Sequence, residues 1–126
     1  MSAVRNAVAR ARGRAAERRA ERHLRAAGLV TVARNWRCRG GELDLVMRDG
    51  ASLVFVEVRA RTRNDFATAA ESVGPRKQAR LVHAAEAFLQ TLSELPPCRF
   101  DVVTVERDAG AAAQLAWIRD AFEAPR

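Results

Sequence analysis

Apolar and polar positions change their period several times along the chain, and each change marks an element. From about Ala3 to Ala27 an Ala- and Arg-rich stretch follows a helical period and stops at Gly28. Glu17, Ala20 and Leu24 share one stripe of that helix, the one expected to face a sheet. Leu29 to Arg37 reads as a first strand with Val30, Val32 and Trp36 on one side, followed by a turn at Cys38-Arg39-Gly40-Gly41. Gly41 to Arg61, GELDLVMRDGASLVFVEVRAR, reads as two strands joined at Asp49-Gly50, and Asp-Gly between apolar runs is a strong hairpin signal. Thr62 to Gly74 is polar and without clear periodicity. Ser72 or Gly74 then caps a second helix, with Pro75 in its first turn and Pro96-Pro97 closing the segment. Its apolar stripe is Leu81, Val82, Ala85, Phe88, Leu89 and Leu92. Arg99 to Arg107 alternates as a strand, Gln114 to Ile118 is an edge strand carrying Trp117, and Arg119 to Glu123 a short terminal helix. The order predicts the α/β class: one domain, 1–126, with a mixed β-sheet of about five strands flanked by helices.

The hairpin carries the chemistry. With Asp49-Gly50 as the loop, Asp44 sits opposite Phe55 and Glu42 opposite Glu57, so Glu42, Asp44, Phe55, Glu57 and Arg59 share one face. Leu43, Leu45, Met47, Val54, Val56 and Val58 form the other, apolar face. Asp44 and Glu57 are then diagonal neighbours, roughly 7 Å apart at Cβ, close enough for both carboxylates to reach one ion. Glu57 stands inside the apolar run Leu53-Val54-Phe55-Val56-Glu57-Val58, where an ionised carboxylate is costly unless something neutralises it. Arg59 alone could do so as a structural ion pair. Several acids on one face, beside a cation, instead suit a hard divalent metal and a phosphate group.

Charge sharpens this. The net charge is +7, and residues 1–25 hold eight Arg and two Glu, so the N-terminal segment carries nearly all of the excess. Such a block suits nucleic-acid phosphate, and equally a solvated helix face in which Glu17 pairs with Arg14 or Arg18. Cys38 and Cys98 lack metal-ligand spacing and read as reduced packing residues of a cytoplasmic protein. No apolar run approaches the roughly 18 residues of a membrane span.

Asp44, a hairpin and then Glu57-x-Arg59 resembles the signature of the PD-(D/E)XK nuclease superfamily, which is Asp, a hairpin and then Glu-x-Lys and which includes restriction endonucleases and Holliday-junction resolvases. The chain more closely resembles the YraN-like family of bacterial proteins within it. The resemblance rests on Asn35-Trp36-Arg37, Gly41-Glu42-Leu43-Asp44, Phe55-Val56-Glu57-Val58-Arg59-x-Arg61, Pro75-Arg76-Lys77 and Arg99-Phe100-Asp101-Val102-Val103. It implies a restriction-endonuclease-like core and Mg²⁺ or Mn²⁺ held by Asp44 and Glu57. Glu17 on the first helix would complete the metal site or orient water, with Glu21 as its alternative one turn on and Glu42 beside the ligands. Arg59 and Lys77, the chain's only lysine, would face the scissile phosphate. The superfamily places Lys where this chain has Arg59, and a guanidinium stays charged, holding phosphate without acting as a base. Lys77 on the neighbouring helix then compensates in part. Arg61, Arg63, Arg76, Lys77, Arg80, Arg14 and Arg18 are the expected nucleic-acid contacts, and Phe66 a base-stacking or anchoring residue. Asp101 reads as a structural acid. Three readings stand: a metal-dependent nuclease acting on structured or branched DNA, a nucleic-acid-binding module without catalysis, and a protein whose acids form internal ion pairs. A homodimer is one expected assembly, as in many resolvases.

Overall fold

The computed structural model describes residues 2–61, 73–106 and 114–123. Helix α1 (Ser2–Ala26) precedes strands β1 (Val30–Cys38), β2 (Gly41–Asp49) and β3 (Ser52–Arg61). Helix α2 (Pro75–Leu89) crosses to β4 (Cys98–Glu106), and β5 (Leu115–Phe122) ends the described chain. The five strands form one mixed sheet in sequence order. All neighbours are antiparallel except β3 and β4, which α2 joins as a parallel pair.

Helices cover both faces of the sheet, and both faces are core. Leu45, Met47, Val54, Val56, Val103 and Val105 pack with Ala16, Ala20 and Leu24 of α1. Val46, Leu53, Phe55, Phe100 and Val102 pack with Leu81, Val82, Ala85 and Phe88 of α2. Among the described side chains, α1 packs on the sheet from Ala16 onward, and Val4, Arg5, Arg10, Arg14 and Ala15 lie exposed before it. Gly74 caps α2 with extended backbone and Pro75 fills its first turn, as expected. The helix already ends at Leu89, ahead of Pro96-Pro97. No described helix is long and apolar enough to cross a membrane.

Four expectations change. The hairpin loop is Gly50-Ala51, not Asp49-Gly50: Asp49 pairs with Ser52, while Gly50 takes φ 60, a conformation glycine adopts without steric cost. Moving the loop by one residue shifts each partner by two, so Leu45 faces Val56, and Leu45, Met47, Val54 and Val56 keep their shared face. Leu43 does not stay with Leu45. It joins the α2 side with Val46, which requires the alternation of β2 to slip at Asp44. Val30 and Val32 are exposed, whereas Trp36 packs edge-on against Phe88, and a bulge between Thr31 and Ala33 shifts the register of β1 against β2 between them. Finally, Arg119 to Phe122 extends β5 and forms no helix. Phe122 pairs with Phe100 and stacks on it at 4.8 Å, past a bulge where Asp120 adopts φ 51 and donates its N–H to Asp101.

Candidate metal and phosphate site

The β2–β3 ladder is paired from Asp49 and Ser52 as far as Leu45 and Val56. One step beyond, Asp44 reaches across the strand gap and its carboxylate accepts the Val58 backbone N–H at 2.9 Å. The acid is within electrostatic reach of both helices, of Glu17 on α1 and Lys77 on α2. Glu57, the next position on β3, is buried at 4% exposure. Asp44 and Glu57 are thus close enough, one step past the last paired residues, for the charge of each to act on the other.

The electrostatics of the pair are unusual. Burial, then the negative charge of Glu57, pushes the Asp44 carboxyl from its ordinary value of 3.8 up to about 7. The Val58 N–H and the Lys77 charge oppose that rise without cancelling it. Lys77 Nζ, arriving from the first turn of α2, is 3.4 Å from Glu57 Oε1, and Arg59 is 3.9 Å from the same oxygen. The other oxygen, Oε2, is buried without any hydrogen-bond partner. A buried carboxylate oxygen with nothing to bond is a costly feature in a folded protein.

Glu17 flanks the pair on the α1 side. It accepts a hydrogen bond from the Asn35 amide at 2.7 Å, and burial, with contributions from the charges of Asp44 and Glu42, raises its pKa. It does not join the other two acids as a ligand cluster: among the described residues no three His, Cys, Asp or Glu side chains gather closely enough to hold a metal. Glu21, the alternative, is committed elsewhere, accepting from Thr31 at 2.6 Å and pairing with Arg34 at 2.7 Å, with its pKa lowered by the Arg34 hydrogen bond. Glu42 pairs with exposed Arg37 at 3.4 Å.

Basic residues stand on both sides of the acids. Arg76 and Arg80 are exposed on the first turns of α2 around Lys77, next to a helix N-terminus with no side-chain cap. Arg14 and Arg18 are exposed on α1, lining a hollow with Glu17, Glu21, Arg34 and Asn35. Arg61 ends β3 two residues past Arg59. Arg63 and Phe66 lie outside the described residues. Asp101 is structural, as its pattern suggests: fully buried, it accepts hydrogen bonds from Arg99, Trp117 Nε1 and the Asp120 N–H.

Two participants escape sequence reading. Arg34 neutralises Glu21, and Asn35, at φ 48, holds Glu17. Asn35 stands in the Asn35-Trp36-Arg37 motif, and the signal for its backbone is its type: asparagine is depleted in strands and enriched at positive φ.

The model of a family described as "Uncharacterised protein family UPF0102" matches residues 16–105, which span α1 from its first packed residue to the end of β4. A UPF0102 protein of Cupriavidus taiwanensis is 55% identical over 116 residues, covering 90% of this chain and 84% of its own length. Others from Ralstonia pickettii and Pseudomonas aeruginosa are 52% and 51% identical, each covering 91% of this chain and 92% and 94% of their own lengths.

Proposed function

Since the chain belongs to the uncharacterised protein family UPF0102, whose description assigns no activity, we propose a function from the chemistry of the site: a divalent-metal-dependent, nuclease-like protein that binds structured or branched DNA and hydrolyses its phosphodiester backbone. The observation that carries this reading is the meeting of Asp44 with buried Glu57, one of whose oxygens has no partner, beneath two cations. The resemblance of the same residues to the PD-(D/E)XK signature agrees with it.

The residues fit a hard cation. Two converging carboxylates are what Mg²⁺ takes from a protein when it keeps most of its waters. The unpartnered Glu57 oxygen and the raised Asp44 pKa are both relieved by positive charge between them. Asp44 and Glu57 would therefore hold Mg²⁺ or Mn²⁺. When bound, such an ion lowers the pKa of a coordinated water and supports charge developing on phosphate.

The other roles fall to the chain itself. Lys77 and Arg59 place an ammonium and a guanidinium beside Glu57, where the phosphate would lie. Arg59 cannot accept a proton, so any proton transfer rests on Lys77, on Glu17 or on solvent. Glu17, held by Asn35 and with a raised pKa, is placed to orient or deprotonate water at the edge of the site. Arg76, Arg80, Arg14 and Arg18 would track the backbone on both sides, and Arg61 and Arg63 would extend that track.

Arg59 in place of the signature lysine favours a second reading, a DNA-binding module with no turnover. Incubating branched, duplex and single-stranded DNA with Mn²⁺, with Glu57→Ala as control, separates the two. Metal-dependent cleavage lost in the variant supports the nuclease. Tight binding without cleavage of any substrate supports the module.

A further inference from the structure

Strand β1 contains an irregularity that the acid pair depends on. Asn35 lies in the middle of β1 at φ 48, a left-handed conformation inside an otherwise extended strand. Its neighbours show what this does. Ala33 and Trp36, three residues apart, both pack on the α2 side, whereas Arg34 and Asn35, adjacent in sequence, both bond to α1 through Glu21 and Glu17. Regular pleating would send adjacent residues to opposite faces. The partner strand slips at the matching position: Leu43 and Val46, three apart, both face α2, while Leu45 faces α1. Arg34 pairs with Leu45 and Trp36 with Leu43, so the residue between them, opposite Asn35, is Asp44.

We propose that Asn35 is a positioning residue for the acid pair: its left-handed backbone imposes the paired phase slip that turns Asp44 out of the pleat and across to the Val58 N–H and Glu57. The inference deepens the reading of Asp44 and Glu57 as the metal-holding pair. Without the slip, Asp44 would follow the alternation of Leu45 and Val46 onto a sheet face, away from the Val58 N–H. Asparagine suits the position on two counts. It tolerates φ > 0 better than other side-chain-bearing residues, and its amide ties the slipped segment to Glu17 at 2.7 Å.

The test compares the wild-type protein with Asn35→Ala and Asn35→Gly. Alanine resists positive φ, glycine accepts it freely, and both lack the amide, so a difference between them reads the backbone alone. Two readouts apply: amide hydrogen exchange at Val58 in metal-free protein, and Mn²⁺ affinity by calorimetry. The expected result is faster Val58 exchange in Asn35→Ala, by about tenfold or more, with near wild-type protection in Asn35→Gly. Mn²⁺ affinity should follow the same order. Equal Val58 exchange in all three proteins would overturn the proposal, as would equal acceleration in both variants. Exchange at Val46 and Val103 serves as the folding control, so that a general loosening is not mistaken for loss of the Asp44 contact. Failure of the wild-type protein to bind Mn²⁺ would instead remove the metal reading, and the Val58 comparison would still decide the role of Asn35.

Discussion

Replacing Asp44 by Asn tests the pair without emptying it. The amide is nearly isosteric, and its oxygen can still accept the Val58 N–H that Asp44 accepts at 2.9 Å. What disappears is one ionisable group beside Glu57. In the metal-free protein the Asp44 pKa rises from 3.8 unfolded to about 7 folded, so ionisation opposes folding. An acid with a raised folded pKa contributes its full stability below pH 3.8, loses it progressively as pH climbs to about 7, and loses no more above that. At about 1.4 kcal/mol per pH unit the total is about 4 kcal/mol, an upper figure because solvent reaches part of the side chain. Asp44→Asn is free of that slope. Its advantage over wild type, measured by urea unfolding in EDTA, should therefore grow by about 2–3 kcal/mol between pH 5 and pH 8. Adding Mn²⁺ at pH 8 should cancel that advantage, since a ligand at about 1,000 times its Kd stabilises wild type by about 4.1 kcal/mol and Asp44→Asn by little. A pH-independent difference between the two proteins would refute the convergence of Asp44 on Glu57. Equal stabilisation of both by Mn²⁺ would refute the ion's location.

Three further outcomes are expected. Arg59→Lys restores a group able to shuttle protons, so Mn²⁺-dependent DNA cleavage should rise by about 10² or more, and an unchanged rate would remove this position from proton transfer. Gly41→Ala would place a Cβ 2.9 Å from the Arg80 carbonyl oxygen and 3.0 Å from Ala84 Cβ, forcing α2, and Lys77 with it, away from β2. Thermal unfolding should show a loss of about 1–3 kcal/mol, and an unchanged melting temperature would show that α2 is not seated so closely. DNA affinity should fall steeply with salt, and Arg14→Gln with Arg18→Gln should flatten the slope of log K against log salt by up to about 1.8, whereas an unaltered slope would take α1 off the DNA.

What could be read from the sequence follows the range of the forces involved. The hairpin was legible because Asp49-Gly50 and two alternating runs are local signals, and Asp101 was legible as structural because it sits in a strand between core residues. The loop position differs by one because Asp-Gly and Gly-Ala both supply glycine to the turn, and both registers keep Val46 and Phe55 on the α2 side, so the apolar pattern does not choose between them. The end of β5 was misread as a helix because its strand character comes from Phe100 stacking on Phe122 and from the Asp101 contact at Asp120, both distant in sequence. Lys77 is suspected from the Pro75-Arg76-Lys77 resemblance and as the chain's only lysine, since its 3.4 Å approach to Glu57 depends on where the β3–α2–β4 crossover seats the helix. The slip at Asn35 and Asp44 left almost no trace, because period-2 patterning describes regular strands and the site is built where regularity fails.

Diffraction from a crystal soaked in Mn²⁺, recorded for its anomalous signal, addresses the central claim most directly. The account predicts a peak between the carboxylates of Asp44 and Glu57, with Glu57 Oε2 among its ligands and Lys77 displaced from its 3.4 Å contact. Density empty at that point, with Lys77 still seated on Glu57 at saturating Mn²⁺, would contradict it and leave the two acids as internal ion-pair partners.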